Sequence, residues 1–187
     1  MKKFKKFLKW ERVVLKRNIP TIKIATKIFD TVDKNREHLK PRFTREKETK
    51  TIEDTLKYLF EDEKESQKWK KAGYWIYLKN KYIGNIWIFD INKENKSAEI
   101  GYWLSKEFTR KWYMTEAIKI LEKEFFKNFD INRIEICCDE NNIASKWVAE
   151  KCWYKLEWKL REHIYNKERE KYTNTLIFSK LKSEYKK

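Results

Sequence analysis

The residues best suited to chemistry surround a basic loop that joins a predicted strand to a predicted helix. The strand runs from Ala98 to Leu104, the loop contains Arg110 and Lys111, and the helix begins near Met114. Unpaired backbone N–H groups and the helix dipole favour an anion at a helix N-terminus, and the two cations add charge that a phosphate accepts. The pattern predicts a phosphate-binding site. The alternative is an exposed basic loop that only caps the helix.

Glu99 lies on the strand that precedes this loop, and its carboxylate is a candidate general base. If the sheet opens beside it, the carboxylate can take a proton from an incoming ammonium group, directly or through water. The alternative is an ion pair with a nearby lysine, a residue type in which the chain is rich.

A second polar group follows the predicted strand at 131–138. Asn142 is suited to capping a helix over 143–152, and Ser145 follows one turn later. The Ser145 hydroxyl either faces the same groove as the cap or bonds to an upstream carbonyl within its own helix.

Neither metal nor redox chemistry is indicated. The two histidines, His38 and His163, have no cysteine or acidic neighbour at metal-ligand spacing. Cys137 and Cys138 are adjacent on a predicted strand and therefore face opposite ways, as core residues rather than a redox pair. Three cysteines, an odd number, suit a reducing cytosol, so we expect a cytoplasmic protein.

These residues are positioned by mixed strands and helices. Hydrophobic periodicity predicts strands at 11–16, 73–78, 81–90, 98–104, 131–138, 154–162 and 172–181, and helices ending near Asp33 and covering 51–60, 114–126 and 143–152. Residues 1–10 form a basic lead-in without the apolar core of a signal peptide. A length of 187 residues predicts one domain spanning 1–187.

Composition restricts the partners. Lys and Arg number 45 against 29 Asp and Glu, which gives a net charge of +16. Such a charge indicates an anionic partner such as RNA, a ribosome, a nucleotide or an acidic protein; the alternative is a merely solvated, lysine-rich surface. The sequence contains no apolar run of about 18 residues, so no membrane span is expected.

The run SAEIGYWL at 97–104, followed by KWYMTEA at 111–117, resembles the GNAT acetyltransferase superfamily. The branch concerned contains the ribosomal-protein-alanine and ribosomal-protein-serine N-acetyltransferases. NREHLKP at 35–41 and the N-x-x-S-x-x-V-A-E-K run at 142–151 match that branch in the same order, so the resemblance covers residues 11 to 181 approximately.

The resemblance implies an α/β (α+β) GNAT fold, a mixed, mostly antiparallel, splayed sheet of about seven strands with helices on both faces. It implies acetyl-CoA as cosubstrate, with no metal. The residues implied to hold it are Ile100, Gly101, Tyr102, Thr109, Arg110, Lys111, Trp112, Tyr113, Met114, Thr115, Asn142 and Lys151. Ser145 is implied to protonate the departing thiolate, and Asn35, Arg36 and His38 fall on the substrate side.

Three tryptophans stand where the family pattern has glycine: Trp112, Trp153 and Trp158. The chain holds only 3 glycines but 9 tryptophans, whereas glycine averages roughly 7% of residues. One hypothesis is that these tryptophans are UGA codons that the source organism reads as glycine. If they are genuine, Trp112 crowds the phosphate cradle and the protein is a degenerate member that does not bind the cofactor.

Two functions therefore follow from the sequence. The first is acetyl-CoA-dependent N-acetylation of a primary amine, by resemblance the N-terminal α-amine of a ribosomal or other protein, by a monomer or homodimer. The second is a catalytically silent module of the same fold that binds RNA or a ribosome through lysine, arginine and exposed aromatic residues.

Overall fold

The computed structural model describes residues 3–40, 49–166 and 170–185. Eight strands lie in these residues: β1 (Phe7–Lys9), β2 (Val13–Arg17), β3 (Ala72–Leu78), β4 (Lys81–Asn92), β5 (Ser97–Leu104), β6 (Arg133–Asp139), β7 (Lys155–Asn166) and β8 (Lys171–Leu181). The helices are α1 (Ile22–Asp33), α2 (Arg36–Leu39), α3 (Ile52–Gln67), α4 (Tyr113–Asn128) and α5 (Ile143–Lys151).

The strands form one sheet in the order β1-β2-β3-β4-β5-β6-β8-β7. Neighbouring strands pair antiparallel, except for β5 and β6, which pair parallel. The α4 helix lies between β5 and β6 in the chain and makes the crossover that a parallel pair requires. The mixed, mostly antiparallel sheet with helices confirms the predicted fold class.

The sheet separates two hydrophobic cores. Alternate side chains of a strand point to opposite faces, and β3 shows this directly: Tyr74 and Ile76 join the core that contains Phe125 of α4, while Trp75 and Tyr77 join the core of α1 and α3. Helices therefore cover both faces of the sheet. A site is expected where neighbouring strands of the sheet separate.

Three details differ from the sequence expectations. The basic lead-in contains strand β1, whose Phe7 and Lys9 flank a buried Leu8, so the sheet has eight strands rather than about seven. Arg36–Leu39, within the NREHLKP stretch, form the short helix α2. Helix α3 continues to Gln67, well past residue 60, because Asp62 and Ser66 extend the buried stripe that begins with Thr55 and Leu59. The run Arg42 to Arg45 lies outside the described residues.

None of the described helices combines the length and the apolar character needed to cross a lipid bilayer.

Candidate active site

The central feature of the site is the point where β5 and β6 separate. The two strands pair only between Ser97–Glu99 and Arg133–Glu135, yet β5 continues to Leu104 and β6 to Asp139. Beyond Glu99, the edge of β5 that faces β6 has no strand partner, so the alternate backbone N–H and C=O groups of residues 100–102 that point to this edge are open to a ligand. The parted strands form a wedge-shaped groove through the sheet.

Glu99 and Ser145 lie on opposite sides of this groove. Tyr102 is three residues from Glu99 on β5, so the two side chains point to opposite faces, and the Tyr102 hydroxyl contacts Ser145 on α5. The same alternation on β6 places Cys137 beside Glu99 and Cys138 beside Ser145. A molecule that enters from one face would therefore meet Glu99, and a molecule that enters from the other face would meet Ser145.

Glu99 has the environment of a general base. Burial, together with the negative charges of Asp90 and Glu135, raises the pKa of the Glu99 carboxyl from 4.5 to about 7, although the Cys137 thiol partly opposes the shift by donating a hydrogen bond. Within the part of the chain that the structure describes, no ion pair joins Glu99 to a lysine, and the role of this residue stays a prediction. A carboxylate poised near neutral pH can accept a proton and release it again.

Ser145 sits in the first turn of α5. Its backbone N–H donates to the Asn142 side chain, Oδ1, over 3.2 Å, which confirms the predicted helix cap. The Ser145 hydroxyl is 2.9 Å from the Tyr102 hydroxyl, and Ser145 is only 8% exposed. This hydrogen bond crosses from α5 to β5, so the hydroxyl of Ser145 is directed into the groove and towards a second proton donor.

The loop between β5 and α4 presents its backbone as a cradle. A single 3₁₀ turn, Lys106–Phe108, is closed by the Thr109 hydroxyl, which donates to the Lys106 carbonyl over 2.8 Å. Arg110 and Trp112 then adopt left-handed conformations, with φ of 59° and 69°, on either side of Lys111. Such alternation of backbone hand turns successive N–H groups towards one point and forms an anion-binding nest.

The first turn of α4 completes the cradle. Met114 and Thr115 in this turn are buried. The first main-chain N–H groups of α4 have no partner within the helix and can bind a ligand. The Thr115 hydroxyl is buried without a hydrogen-bond partner in the described part of the chain. Arg12, the residue just before β2, packs over the Tyr113 ring at 4.7 Å and pairs with Glu116. These contacts anchor the first turn of α4. The backbone here fits a diphosphate.

Cations border the cradle. Arg110 and Lys111 are exposed and form no ion pair within residues 3–40, 49–166 and 170–185. Their charge is therefore available to an incoming anion. Lys151, at the end of α5, stands over two indole rings rather than over the nest itself.

The Trp112 side chain contacts helix α5. It is 48% exposed, and its ring centroid is 4.7 Å from that of Trp147 on α5. Lys151 Nζ lies 5.9 Å from the Trp112 ring centroid. Since Trp112 caps α4 and Trp147 belongs to α5, the two indoles bridge the gap between these helices. The backbone of the site suits a phosphate-bearing ligand, and the bulk of the indole opposes it.

The predicted substrate-side residues lie at the end of α1. The Asn35 side chain, Oδ1, accepts from the Lys106 backbone N–H over 2.9 Å and so ties this segment to the loop after β5. Arg36 donates to the Thr49 carbonyl over 2.8 Å and His38 is half-buried. Of the three, Asn35 contacts the cradle loop.

A basic cavity of about 590 Å³ opens beside Asn35. Its walls include Lys34, Lys81, Lys106 and Glu107. Tyr82, also in the wall, belongs to the core of α1 and α3, which is the face of the sheet on which Glu99 lies. The cavity therefore offers a positively charged approach on the side of the groove opposite Ser145.

Two features of the site escaped sequence reasoning. Tyr102 was expected to contribute only its backbone, whereas its hydroxyl contacts Ser145. Trp147 was not considered, because its meeting with Trp112 depends on how α4 and α5 approach each other. The alternation of Ile100 and Tyr102 on one strand face could have indicated the first; no local signal indicated the second.

A sheet with parted central strands beside a backbone anion cradle is the architecture of an acyltransferase that takes its acyl group from a phosphate-bearing donor. The chain belongs to the acetyltransferase (GNAT) domain family, whose sequence pattern matches residues 13–155. This confirms the predicted family. The individual site roles stay predictions.

The chain is similar to several known acetyltransferases. It is 35% identical over 82 residues to the putative ribosomal N-acetyltransferase YdaF of Bacillus subtilis (strain 168), covering 44% of this chain and 45% of that protein. It is 25% identical over 135 residues to the ribosomal-protein-serine acetyltransferase of Escherichia coli (strain K12), covering 72% and 75%. The chain spans about half the length of the first curated relatives it matches.

Among solved structures, the fold is similar to that of the microcin C7 self immunity acetyltransferase MccE, which was crystallised with acetyl-CoA and AMP. The TM-score is 0.85 at 25% identity, over 92% of this chain and 93% of the other.

Proposed function

We propose that the protein transfers an acetyl group from acetyl-CoA to a primary amine, and that the amine is the N-terminal α-amine of a ribosomal or other protein. The observation that carries the proposal is the wedge between β5 and β6, with Glu99 and Ser145 on its two faces. Acetyl-CoA supplies an activated thioester and, at its other end, a diphosphate. The relatives named for ribosomal substrates support this choice of acceptor.

The cosubstrate would lie along the open edge of β5. The nest at Arg110 to Trp112 and the first turn of α4 would hold the diphosphate, with Arg110 and Lys111 beside it. Backbone N–H groups between Ile100 and Tyr102 face the groove and would bind the pantetheine arm and the thioester oxygen, where negative charge develops during acyl transfer.

The two proton transfers of the proposed reaction take place on opposite faces of the groove. Glu99 takes a proton from the acceptor ammonium, which leaves the nitrogen lone pair to attack the thioester carbonyl carbon. A new C–N bond forms and the C–S bond breaks. Ser145 gives its hydroxyl proton to the leaving thiolate, and the Tyr102 hydroxyl, 2.9 Å away, can return a proton to Ser145. The nitrogen of the product loses its second proton to solvent. Glu99 releases its proton to solvent and Tyr102 regains one from solvent, which returns the site to its starting state.

An acidic acceptor suits the approach on the Glu99 side. The cavity there is bordered by Lys34, Lys81 and Lys106, and the whole chain carries a net charge of +16. A positive field concentrates negatively charged partners and repels polycations such as polyamines. We therefore propose that the preferred acceptor is a protein N-terminus followed by acidic residues. We also propose that the enzyme acts in the cytoplasm.

A second candidate is favoured by one observation. The indoles of Trp112 and Trp147 bridge the gap between α4 and α5, and a cradle closed in this way would leave a module without catalysis. Such a module would bind RNA or a ribosome through its basic surface, with an affinity that falls steeply as salt rises.

Addition of acetyl-CoA to the purified protein separates the two functions. A ligand that binds the native state raises the melting temperature in proportion to its excess over Kd. The acetyltransferase proposal expects such a rise, followed by acetylation of peptides with an open α-amine and not of the same peptides with a blocked one, detected by mass. No thermal shift and no acetylated peptide, together with salt-sensitive RNA binding, would establish the silent module instead.

A further inference from the structure

Three tryptophans of this protein occupy a backbone conformation that suits glycine. Trp69, Trp112 and Trp153 have φ of 62°, 69° and 62°, all in the left-handed region. A left-handed φ brings Cβ too close to the following carbonyl oxygen, so among non-glycine residues it is uncommon and, for bulky ones, an outlier. No other aromatic and no aliphatic residue in 3–40, 49–166 and 170–185 adopts a left-handed φ.

Two of the three residues end a helix in the same way. After α5, the Trp153 N–H donates to the Glu150 carbonyl and the Tyr154 N–H to the Ala149 carbonyl, each over 3.0 Å. This pair of bonds is the Schellman motif, in which the residue after the C-cap is left-handed and is usually glycine.

Helix α3 ends identically. The Trp69 N–H donates to the Ser66 carbonyl over 3.0 Å, and the Lys70 N–H donates to the Glu65 carbonyl over 3.1 Å. The left-handed residue of such a helix end is least strained when it has no Cβ. Tryptophan supplies nothing that the motif uses, because the bonds are made by the main chain.

At two of the three positions the side chain does not explain the residue either. Trp153 is 79% exposed and Trp112 is 48% exposed, whereas large aromatic side chains are usually well buried. Trp69 packs on Phe4, with ring centroids 4.5 Å apart. The chain contains 9 tryptophans but 3 glycines, and three of its nine described left-handed non-glycine residues are tryptophan. Glycine is thus missing at three positions whose backbone conformation favours it.

We infer that positions 69, 112 and 153 carry glycine in the protein as its source organism makes it, because UGA codons at these positions are decoded there as glycine. Backbone conformation carries the inference at all three positions. It adds position 69 to those that the sequence pattern singled out, and it gives no support at Trp158, which is exposed but not left-handed.

At position 112 the inference deepens the proposed function and rests on it. A glycine there removes the indole that bridges α4 and α5 and leaves the nest between Arg110 and position 112 open. Glycine also lets the backbone come close to a phosphate. The chain with glycine should bind acetyl-CoA at least about tenfold more tightly than the chain with tryptophan; equal affinities would overturn this part.

The deciding experiment reads the gene and the native protein. Codons at positions 69, 112 and 153 are sequenced, and tryptic peptides of the protein from its source organism are fragmented in a mass spectrometer. UGA codons with glycine in the peptides are expected. A UGG codon, or tryptophan in the native peptide, overturns the inference at that position. Because neither readout uses acetyl-CoA, this result is independent of whether the protein proves to be an acetyltransferase.

A matched pair of variants tests the backbone argument on purified protein. Trp153→Gly relieves a left-handed residue whose side chain is mostly in solvent, so its Tm should rise by roughly 2 to 4 °C. Trp158→Gly is the control, since Trp158 is 66% exposed without a left-handed φ, and glycine within a strand weakens it. A Tm that falls for Trp153→Gly as it does for the control would contradict the assignment.

Discussion

The hydroxyl groups of Tyr102 and Ser145 lie 2.9 Å apart and join strand β5 to the first turn of α5. Tyr102 is also the residue at which β5 has already separated from β6. The contact therefore spans the groove at the point where a leaving thiolate would emerge. Burial raises the pKa of the Tyr102 hydroxyl above its ordinary value, and the bond to Ser145 lowers it in part, so the phenol stays protonated and able to donate.

Removal of the Tyr102 hydroxyl should slow turnover without weakening cosubstrate binding. Tyr102→Phe loses one hydrogen bond to Ser145, and a bond of this kind contributes about 0.5 to 1.5 kcal/mol. We expect kcat to fall by roughly 3- to 10-fold, with the KM for acetyl-CoA nearly unchanged. Steady-state kinetics with acetyl-CoA and a peptide acceptor measure both constants.

Ser145→Ala provides the comparison for Tyr102→Phe. General acid catalysis contributes roughly 10²- to 10⁴-fold, so Ser145→Ala should cost more than Tyr102→Phe. If Tyr102 acts through Ser145, the double variant should be no slower than Ser145→Ala alone. Additive losses would show that Tyr102 acts on the reaction by another route.

The pH dependence of the rate should report on Glu99. A base works when it is deprotonated, and the pKa of Glu99 is raised to about 7, so kcat/KM should rise as the pH increases through about 7 and then level off. Glu99→Gln should remove this step and reduce kcat/KM by roughly 10²- to 10⁴-fold. Stopped assays between pH 5.5 and about 9 test the profile; an unchanged profile in Glu99→Gln would exclude this residue as the base.

The same carboxyl links pH to stability, which separates a catalytic defect from a folding defect. Its folded-state pKa is raised above the unfolded value, so the stability it contributes is present below about pH 4.5 and is lost as the pH rises through about 7. Relative to wild type, Glu99→Gln should therefore be more stable at pH 8 than at pH 5, by a difference on the order of 1 kcal/mol. Urea unfolding at the two pH values measures it.

The fold was largely predictable because hydrophobic periodicity marks most of its elements. Ile28 and Val32 are buried on α1, and Ile134 and Ile136 are buried on β6, as their spacing predicts. Strand β1 escaped because its lysines mask the pattern, and it forms only by pairing with β2. The sequence can indicate that a strand exists, but not which partner it keeps along its length.

The site was predictable to the extent that it is local. The Asn142 cap and the basic loop follow from short runs of sequence, whereas the parting of β5 from β6 depends on how α4 and α5 pack on the sheet. Trp153, which stands where the family pattern has glycine, adopts a left-handed conformation at the helix end that follows Cys152. The hydroxyl pair of Tyr102 and Ser145 joins residues 43 positions apart, so the alternation of β5 indicates the face on which Tyr102 lies but not that Ser145 meets it.

A buried ion pair beneath the end of α5 should be important for stability. Lys180 Nζ lies 3.1 Å from Glu122 and donates to the Cys152 carbonyl over 2.8 Å, and both charged side chains are almost fully buried. Lys180→Met leaves the Glu122 carboxylate buried without its cation, which typically costs about 3 to 5 kcal/mol. Urea unfolding at pH 7 should show a loss of this size.

Two further variants give this measurement its controls. Lys155 pairs with Glu184 at the surface, where water screens the charges, so Lys155→Met should leave the free energy of unfolding nearly unchanged. Lys180→Met combined with Glu122→Leu removes both charges and should recover most of the lost stability. A double variant as unstable as Lys180→Met would indicate that packing, rather than the unpaired charge, explains the loss.

The bond between Asn35 and the Lys106 backbone should control how the acceptor binds. Asn35 Oδ1 accepts from the Lys106 N–H over 2.9 Å, and Asn35 Nδ2 donates to the Thr31 carbonyl over 2.8 Å. Asn35→Ala releases the end of α1 from the wall of the basic cavity. Since the loss of one hydrogen bond costs about 0.5 to 1.5 kcal/mol, the KM for the peptide acceptor should rise by roughly 3- to 10-fold, with a smaller effect on acetyl-CoA.

Asn35→Asp distinguishes the two bonds that Asn35 makes. The aspartate keeps an oxygen that can accept from the Lys106 N–H but loses the donor to Thr31. If the bond to Lys106 shapes the acceptor site, Asn35→Asp should bind the peptide nearly as the wild type does, while Asn35→Ala should not. Equal impairment of the two variants would instead assign the effect to the bond with Thr31 and to the end of α1. The acceptor site would then be shaped within one helix, without the connection to the cradle loop.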